Sequence, residues 1–389
     1  MTTPSTITNV GANQGTNPLK GLNAYGQSPW MDYIRRDLLT SGGLKKMIDQ
    51  DGLRGMTSNP TIFEKAIVGS KFYSDILEAP DAKQLGAGGV YEKIAIRDVQ
   101  DATDIFKPVY VETKRRDGYV SLEVSPLLAN DTKATIDEAR RLWKTVNREN
   151  LMVKVPATPA GIPAIRQLLE DGLNINITLL FAQSAYEQVA EAYVAALEAR
   201  VKKGQDVSHI ASVASFFVSR IDTLIDGQIE TKLKTETDAN KKALLTSVEG
   251  KVAIANAKLT YKKYQELFGG ARWKALAAKG AQTQRLLWAS TSTKNPKYRD
   301  VLYVEELIGA DTVDTIPPAT FDAFRDHGKL RASLTENVDD AAKTMANLEK
   351  AGISMKEATE KLVVDGVKLF ADAFHELLDA TGKTAGVHA

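Results

Sequence analysis

Short apolar segments rich in β-branched residues alternate along the chain with longer segments in which apolar residues recur at helical spacing. The short segments are typical of buried strands, and the longer ones are typical of amphipathic helices. Eight strands are predicted in this way, at residues 29–34, 52–60, 119–126, 151–158, 173–181, 209–222, 285–291 and 311–317.

The segments between these strands are predicted to be helical. One helix is expected from about Arg36 to Gln50. Residues 61–117 and 223–280 are longer than a simple crossover requires, which indicates helical insertions, and the C-terminal segment is also helical in pattern. Pro108 should interrupt or start a helix within the first insertion, because proline has no N–H to donate.

Strands that alternate with helices indicate parallel βαβ units, and eight such strands are the number in a closed barrel. The predicted fold class is therefore α/β, a (β/α)8 TIM barrel with extra helical insertions, formed by residues 28–389 as one domain. An open doubly wound sheet is the alternative, but no GxGxxG follows the first strand. The sequence GAGG at 86–89 lies between helical segments and is predicted to be a loop. Residues 1–27, rich in Thr, Asn and Gly, are predicted to form a flexible arm.

Composition narrows the class of protein. The net charge is +1, without the basic excess expected of a nucleic-acid binder. There is no cysteine, so disulfides and thiolate chemistry are excluded, and four histidines without an HExxH pattern argue against a metal site. No apolar run approaches the ~18 residues of a membrane span, and the N-terminus lacks the pattern of a secretory signal. The expected location is the cytoplasm.

A lysine interrupts one of the most apolar strands, in the sequence LMVKVPAT at 151–158. Lysine is rarely buried without a partner, so Lys154 needs a reason to be there. Other strands also carry polar residues at or near their ends, where a barrel of this class places its catalytic groups. They are Asp32, Asn59, Glu123, Asn176, Thr178, Ser215, Arg220, Ser290 and Lys294.

These residue types suit one kind of chemistry. A desolvated lysine is a nucleophile toward carbonyl groups and forms a Schiff base. Two carboxylates can share the acid–base steps, while amides and hydroxyls hold substrate hydroxyls and a water. Cations after the late strands could bind a phosphate group, as loops there often do in this fold.

Each residue also has a structural interpretation that must be weighed. Asn59 precedes a proline and could serve only in a turn. Thr178 could be a β-branched packing residue. Arg220 could cap a carbonyl or pair with Asp222, and Asp32 could be an N-cap or a salt-bridge partner. The set as a whole favours function, because an acid, a second acid and a lysine from three strands would otherwise be buried together by accident.

At these residues the chain resembles the transaldolases, which are class I Schiff-base aldolases of the pentose phosphate pathway. The resemblance covers most of residues 28–380. It rests on the motifs GMTSNPTIFEKAI, VSLEVSP, LMVKVPAT, GLNINITLLF, ASFFVSRID and LLWASTSTKNP. The length of the chain and the residues TSNPTIFEKAI resemble the longer bacterial subfamily.

The resemblance implies a TIM barrel with no metal or organic cofactor. It also implies transfer of a dihydroxyacetone unit from fructose 6-phosphate or sedoheptulose 7-phosphate to erythrose 4-phosphate or glyceraldehyde 3-phosphate. The sugar phosphates would be its partners, with no nucleic acid or membrane involved. Whether the enzyme is a monomer or a homodimer stays open.

The resemblance also implies roles for the individual residues. Lys154 would form the Schiff base, and Asp32 would take the proton from the C4 hydroxyl. Glu123 and Thr178 would handle a water. A larger set would bind the substrate, with Asn59, Asn176 and Ser215 on its hydroxyls and Arg220 and Ser290 on its phosphate.

One position departs from the pattern of the shorter family members. They carry an arginine two residues after the serine that matches Ser290, where this chain has Ser292. Lys294 could supply the missing cation if the loop is two residues longer.

Three alternatives remain at this stage. A fructose 6-phosphate aldolase would use the same lysine but release free dihydroxyacetone. A pyridoxal phosphate enzyme would use Lys154 to hold its cofactor. A non-catalytic sugar-phosphate-binding barrel would keep the pocket without turnover.

Overall fold

A computed structural model describes residues 17–386 of the chain. Its eight strands pair in chain order, all parallel, and the first pairs with the last to close a barrel. The strands are β1 Gln27–Asp32, β2 Gly55–Thr57, β3 Tyr119–Glu123, β4 Leu151–Pro156, β5 Ile175–Leu180, β6 Ser212–Phe217, β7 Arg285–Ala289 and β8 Thr312–Ile316. The predicted (β/α)8 barrel is confirmed, and the open sheet is excluded by the pairing of β1 with β8.

Helices surround the barrel. They are α1 Pro18–Leu22, α2 Arg36–Thr40, α3 Gly43–Asp51, α4 Pro60–Ile67, α5 Ser74–Leu77, α6 Ala82–Glu112, α7 Thr132–Val146, α8 Gly161–Asp171, α9 Gln183–Lys202, α10 Ser219–Thr235, α11 Ala239–Val248, α12 Val252–Gly269, α13 Ala271–Ala277, α14 Leu302–Glu306, α15 Pro318–His327, α16 Val338–Lys350 and α17 Met355–Ala385. The segments predicted as insertions, about 61–117 and 223–280, hold α4–α6 and most of α10–α13. None of the helices within 17–386 is long and apolar enough to cross a membrane.

Two helix predictions were wrong in detail. The helix expected from Arg36 to Gln50 is two helices, because Gly42 adopts a left-handed φ of 79° between them. Helix α6 runs through Pro108, whereas its break falls at Gly86 (φ 65°, ψ 175°), within the GAGG sequence. Asp104, the residue whose carbonyl loses its helical partner at Pro108, is exposed.

The arm predicted over residues 1–27 lies partly outside the described residues. From residue 18 onward the chain is folded: α1 begins at Pro18 after an N-cap by Asn17, whose side chain accepts from the Leu19 N–H. Leu19 and Leu22 of this helix are fully buried. Helix α1 therefore lies within the segment that was predicted as an arm, before the predicted boundary at residue 28.

Polar groups close the amino-terminal end of the barrel. Arg285 of β7 donates to the Asp117 carboxylate at 2.8 Å and to the Ser28 hydroxyl at 2.7 Å. Trp30 also donates to Asp117 at 3.2 Å. Because this buried ion pair is fully hydrogen-bonded, it can fill the floor of the barrel without leaving an unpaired charge.

The last helix covers the opposite end. Helix α17 packs against α4 and α6 and also contacts β5. At Gly366 it approaches the barrel so closely that an added Cβ would lie 2.9 Å from a methyl group of Leu179. The buried ring of Phe370, one turn further on, is thereby brought over the carboxyl ends of the strands.

Candidate active site

A cavity of about 160 Å³ opens at the carboxyl ends of the strands, beneath α17. This is the end of the barrel at which enzymes of this fold carry out their chemistry. Of the predicted site residues, eight line it: Asp32, Asn59, Lys154, Thr178, Ser215, Arg220, Ser290 and Lys294. The other two, Glu123 and Asn176, lie directly behind it, as their contacts show.

Lys154 stands in the middle of β4 and is only 5% exposed. Its Nζ lies 3.4 Å from the Oε2 of Glu123 and donates to the carbonyl oxygen of Ser58 at 3.3 Å. The ring of Phe370 lies over the same nitrogen, with its centroid 5.6 Å away. The amine therefore has one carboxylate, one carbonyl and one aromatic face around it, with the cavity on the remaining side.

Strand register explains why Glu123 and Asn176 flank the lysine. Glu123 of β3 pairs with Lys154, and Lys154 pairs with Asn176 of β5. Residues paired across neighbouring strands point to the same face, so all three side chains reach the interior of the barrel at one level. Burial raises the pKa of Glu123, and the charge of Lys154 opposes that rise.

Asp32 ends β1 and is held by hydroxyl groups. Thr57 donates to its Oδ1 at 2.7 Å, and Thr57 is itself 2.6 Å from the hydroxyl of Thr315. Burial raises the pKa of Asp32, while Lys154 and the Thr57 hydrogen bond pull it down. A carboxyl group whose pKa is raised toward neutral pH exchanges protons more readily at physiological pH.

The amide of Asn176 is fixed by two hydroxyl groups. Its Nδ2 donates to Ser121 at 3.0 Å, and its Oδ1 accepts from Ser215 at 2.6 Å. Asn176 is fully buried, so its orientation is set before any ligand arrives. The hydroxyl of Thr178, two residues along the same strand, is buried without a hydrogen-bond partner in residues 17–386.

Asn59 has both of the roles considered for it. It is the N-cap of α4, and its Oδ1 accepts from the Ile62 N–H at 3.0 Å. It also lines the cavity. Because the oxygen is engaged by the cap, only the NH₂ group is free to meet a ligand.

Two further cations line the cavity. Arg220 is the second residue of α10, with its guanidinium 5.2 Å from the ring centroid of Phe217 and 5.7 Å from that of Phe370. Within the described chain it makes no salt bridge. The neighbouring Asp222 instead accepts from the Ala253 N–H and the Tyr303 hydroxyl. The ion-pair interpretation of Arg220 was therefore wrong.

Lys294 is the second cation, and its placement bears on the departure at Ser292. The ammonium of Lys294 donates to the Ser292 hydroxyl at 2.8 Å, and both residues line the cavity. A positive charge thus lies beside Ser292, although the side chain that carries it starts two residues later.

Two non-glycine residues next to the cavity have left-handed backbones. Leu179 (φ 61°) follows Thr178 at a register shift between β5 and β6, and Ser290 (φ 58°) follows the end of β7. Such conformations are costly for residues other than glycine and cluster at functional sites. They turn the chain where a ligand would sit.

Thr315, Phe217 and Phe370 are among the lining residues that the sequence pattern did not identify. Thr315 lies next to the end of β8 and could have been found by the strand-end rule used for the others. Phe217 and Phe370 gave no such signal, because an apolar residue in a strand or an amphipathic helix usually indicates core.

A closed parallel barrel with a lysine, carboxylates and cations around a cavity at the carboxyl ends of its strands is the arrangement of a (β/α)8-barrel enzyme. The chain belongs to the transaldolase/fructose-6-phosphate aldolase family, whose model matches residues 29–381.

Curated proteins similar to this chain are named transaldolases, as the family model implies. A transaldolase of Trichodesmium erythraeum is 49% identical, covering 94% of this chain and 97% of its own length. "Transaldolase 2" of Nostoc punctiforme is 48% identical over the same shares. A transaldolase of Thiobacillus denitrificans is 43% identical, covering 94% of this chain and all of its own.

Proposed function

We propose that the protein is a transaldolase, which moves a dihydroxyacetone unit from a ketose phosphate to an aldose phosphate through a Schiff base on Lys154. The observation that carries this proposal is the position of Lys154. The residue is buried and lines the cavity, its amine lies 3.4 Å from Glu123, and two further cations, Arg220 and Lys294, line the same cavity. Relatives named transaldolase that align over nearly the whole chain support it.

The first step joins the ketose to the lysine. The amine in its neutral form attacks C2 of the substrate. Loss of the carbonyl oxygen as water leaves the imine. Glu123 is the proposed acid–base group for this water, because it is the carboxylate in contact with Nζ. The unpartnered hydroxyl of Thr178 is the proposed second contact of the water.

The second step breaks the C3–C4 bond. Asp32 is the proposed base that takes the proton from the C4 hydroxyl, while the protonated imine accepts the electron pair as an enamine. Asp32 lines the cavity and forms no salt bridge with Lys154 in the described chain, which leaves its carboxylate free to meet the substrate. Its raised pKa suits proton exchange with a hydroxyl.

The remaining predicted residues bind the substrate in this proposal. Asn176, held rigid by Ser121 and Ser215, would receive hydroxyls of the bound dihydroxyacetone unit, and the free NH₂ of Asn59 would contact another. Arg220, Ser290 and Lys294 would bind the phosphate, which needs positive charge and hydrogen-bond donors.

Product analysis tests the proposal. Purified protein with fructose 6-phosphate and erythrose 4-phosphate is expected to form glyceraldehyde 3-phosphate and sedoheptulose 7-phosphate. Without an acceptor it should not release dihydroxyacetone at each turnover. Steady release of free dihydroxyacetone would instead support a fructose 6-phosphate aldolase, and absence of any turnover would support a binding barrel.

Trapping tests the lysine itself. Borohydride in the presence of fructose 6-phosphate should leave a reduced dihydroxyacetone adduct on Lys154, located by peptide mapping. Lys154→Met should lose both the adduct and the activity. The matched control is Lys144→Met, since Lys144 lies on α7 outside the cavity lining. Substrate-dependent trapping on another lysine would contradict the assignment.

We also propose that the protein acts in the pentose phosphate pathway and in the cytoplasm. Sugar phosphates would be the partners.

A further inference from the structure

A second cavity, of about 190 Å³, lies on the other side of Glu123 from the first. It shares no lining residue with the first cavity. Its walls include Gly88, Tyr91 and Glu92 of α6, Glu138 of α7, Phe374 of α17 and Glu123 itself. Gly88 is exposed and Glu92 half-buried, so this cavity reaches the surface between α6 and α7.

Glu123 is the link between the two cavities. Its Oε2 lies 3.4 Å from the Nζ of Lys154, which lines the first cavity, while Glu123 is among the residues that line the second. The Glu123 side chain is 6% exposed, and apart from the Lys154 ammonium at 3.4 Å its Oε2 has no polar partner in residues 17–386. A carboxylate oxygen carries two lone pairs, so this one can also accept a hydrogen bond from a water.

The second cavity can hold water. Its volume is several times the roughly 30 Å³ that one water occupies in the liquid. Polar groups line it, including Glu138, which accepts from the Ser125 N–H at 3.2 Å. Tyr91 keeps its proton because burial, followed by the charge of Glu123, raises its pKa, so its hydroxyl remains a donor. Buried waters need such partners.

The proposed function requires water to move at this point. Forming the imine joins the Lys154 nitrogen to C2 and releases the carbonyl oxygen as one water. Hydrolysis reverses this and consumes one water. During both steps the sugar phosphate fills the first cavity, between Glu123 and its mouth.

We propose that water passes between Glu123 and the surface through the second cavity. The water released by imine formation leaves by this route, and the water consumed by hydrolysis enters by it, behind the bound substrate. This inference rests on the proposed function and adds to it a path that does not pass the substrate. Carbon–carbon bond cleavage and formation need no water and do not depend on the path.

Filling the second cavity tests the route. An added Cβ at Gly88 would meet no atom within 4 Å, so Gly88→Leu can place a side chain in the cavity without a clash. Gly88→Ala is the matched control, because it makes the same change from glycine within helix α6 but leaves the cavity open. Neither change touches a residue of the first cavity.

The measurement starts from enzyme that already carries the dihydroxyacetone adduct. Erythrose 4-phosphate is added, and samples are quenched at short times. In Gly88→Leu, carbon–carbon bond formation should keep its rate, while release of sedoheptulose 7-phosphate should slow by about two- to tenfold. That loss is smaller than the roughly 10²-fold or more expected for removing an acid–base group. Gly88→Ala should match the parent. Equal rates of product release in all three proteins would overturn the route.

A crystal structure of the parent enzyme provides an independent test. Ordered waters in the second cavity within hydrogen-bond distance of Glu123 are expected, and an empty cavity would overturn the proposal even if Gly88→Leu failed to fold. Failure of the proposed function would look different, because the parent itself would then show no adduct on Lys154.

Discussion

The hydroxyl oxygens of Ser219 and Ser290 lie 2.8 Å apart and join the start of α10 to the turn after β7. The Ser219 N–H also donates to the Ser290 carbonyl oxygen at 3.1 Å. Arg220 follows Ser219 directly. The two chain segments that carry the proposed phosphate ligands are therefore held together before a ligand binds, which lowers the ordering cost of binding.

Arg220→Ala should weaken binding of phosphorylated substrates. A hydrogen bond to a charged group contributes roughly 1.5–3 kcal/mol, so the KM for fructose 6-phosphate should rise about ten- to a hundredfold. The reaction of dihydroxyacetone with unphosphorylated glyceraldehyde should change little, because no phosphate is present. Arg220→Lys should be intermediate, since it keeps the charge but not the fork of donors. Equal losses in both reactions would remove Arg220 from the phosphate site.

Lys294→Met should raise the KM for fructose 6-phosphate by less than the Arg220 change does. Lys294 is an exposed residue, so solvent and salt screen its charge. The effect should shrink as ionic strength increases. Lys297→Met is the control, because Lys297 is exposed on the same loop but does not line the cavity. If Lys294→Met and Lys297→Met change the KM alike, Lys294 does not replace the cation that the shorter family members carry at the position of Ser292.

Asp32→Asn should slow carbon–carbon bond cleavage much more than imine formation. A positioned general base is typically worth about 10²–10⁴-fold in rate, and Asp32 is not the carboxylate that contacts Nζ. Borohydride should therefore still trap intact fructose 6-phosphate on Lys154 while glyceraldehyde 3-phosphate release falls. Asp37→Asn, a change outside the cavity lining, should leave both steps unchanged. Near-normal cleavage in Asp32→Asn would require a different base.

Phe370→Leu should lower kcat/KM while keeping an apolar cover over the site. The aromatic ring lies between two cations, with its centroid 5.6 Å from Lys154 Nζ and 5.7 Å from Arg220 Cζ. A cation–π contact contributes about 0.5–2 kcal/mol, which corresponds to a loss of roughly two- to thirtyfold. Leu369→Ala, at an exposed position on the same helix, is the control. Full activity in Phe370→Leu would show that the ring acts only by its bulk.

Asp314→Asn should change how stability depends on pH. Asp314 of β8 is fully buried, accepts from the Thr291 hydroxyl at 3.0 Å, and has a pKa raised by burial to about 8. Between about pH 4, the usual carboxyl range, and about pH 8, the unfolded chain has lost this proton while the folded protein keeps it. Stability conferred by this group therefore falls as pH rises through that window, by up to about 1.4 kcal/mol per pH unit.

Asparagine does not titrate, so the stability of Asp314→Asn relative to the parent should improve steadily from pH 5 to pH 8. Chemical denaturation across this range measures the difference. A constant difference at every pH would mean that Asp314 is ionised in the folded protein.

The sequence indicated the site wherever a charged side chain interrupts an apolar strand. A lysine, a glutamate and an aspartate in apolar strands indicated a site, because burying such groups without a use is costly. The barrel followed from alternation alone, since eight buried strands separated by helices have few other solutions. Helix boundaries were weaker. The break in α6 falls at Gly86, a residue type that adopts a positive φ readily, rather than at Pro108, and the residue pattern alone did not distinguish the two positions.

Other parts of the site carried no local signal. Phe370 looks like any core position of an amphipathic helix, and only the packing of α17 brings it over Lys154. The left-handed backbones of Leu179 and Ser290 are imposed by the surrounding structure against the preference of the residues themselves. The place of the Lys294 ammonium beside Ser292 depends on the path of a loop, which residue spacing alone does not determine.

Helix α17, which closes the cavity from above, is also the last helix of the described chain to be synthesised. All eight strands precede it in the chain, so every strand that surrounds Lys154 is complete in sequence before the residue that covers its amine. A chain that ended after β8 would carry Lys154 without the ring of Phe370 above it. The cover of the proposed nucleophile is thus removed by a C-terminal truncation that spares every strand of the barrel.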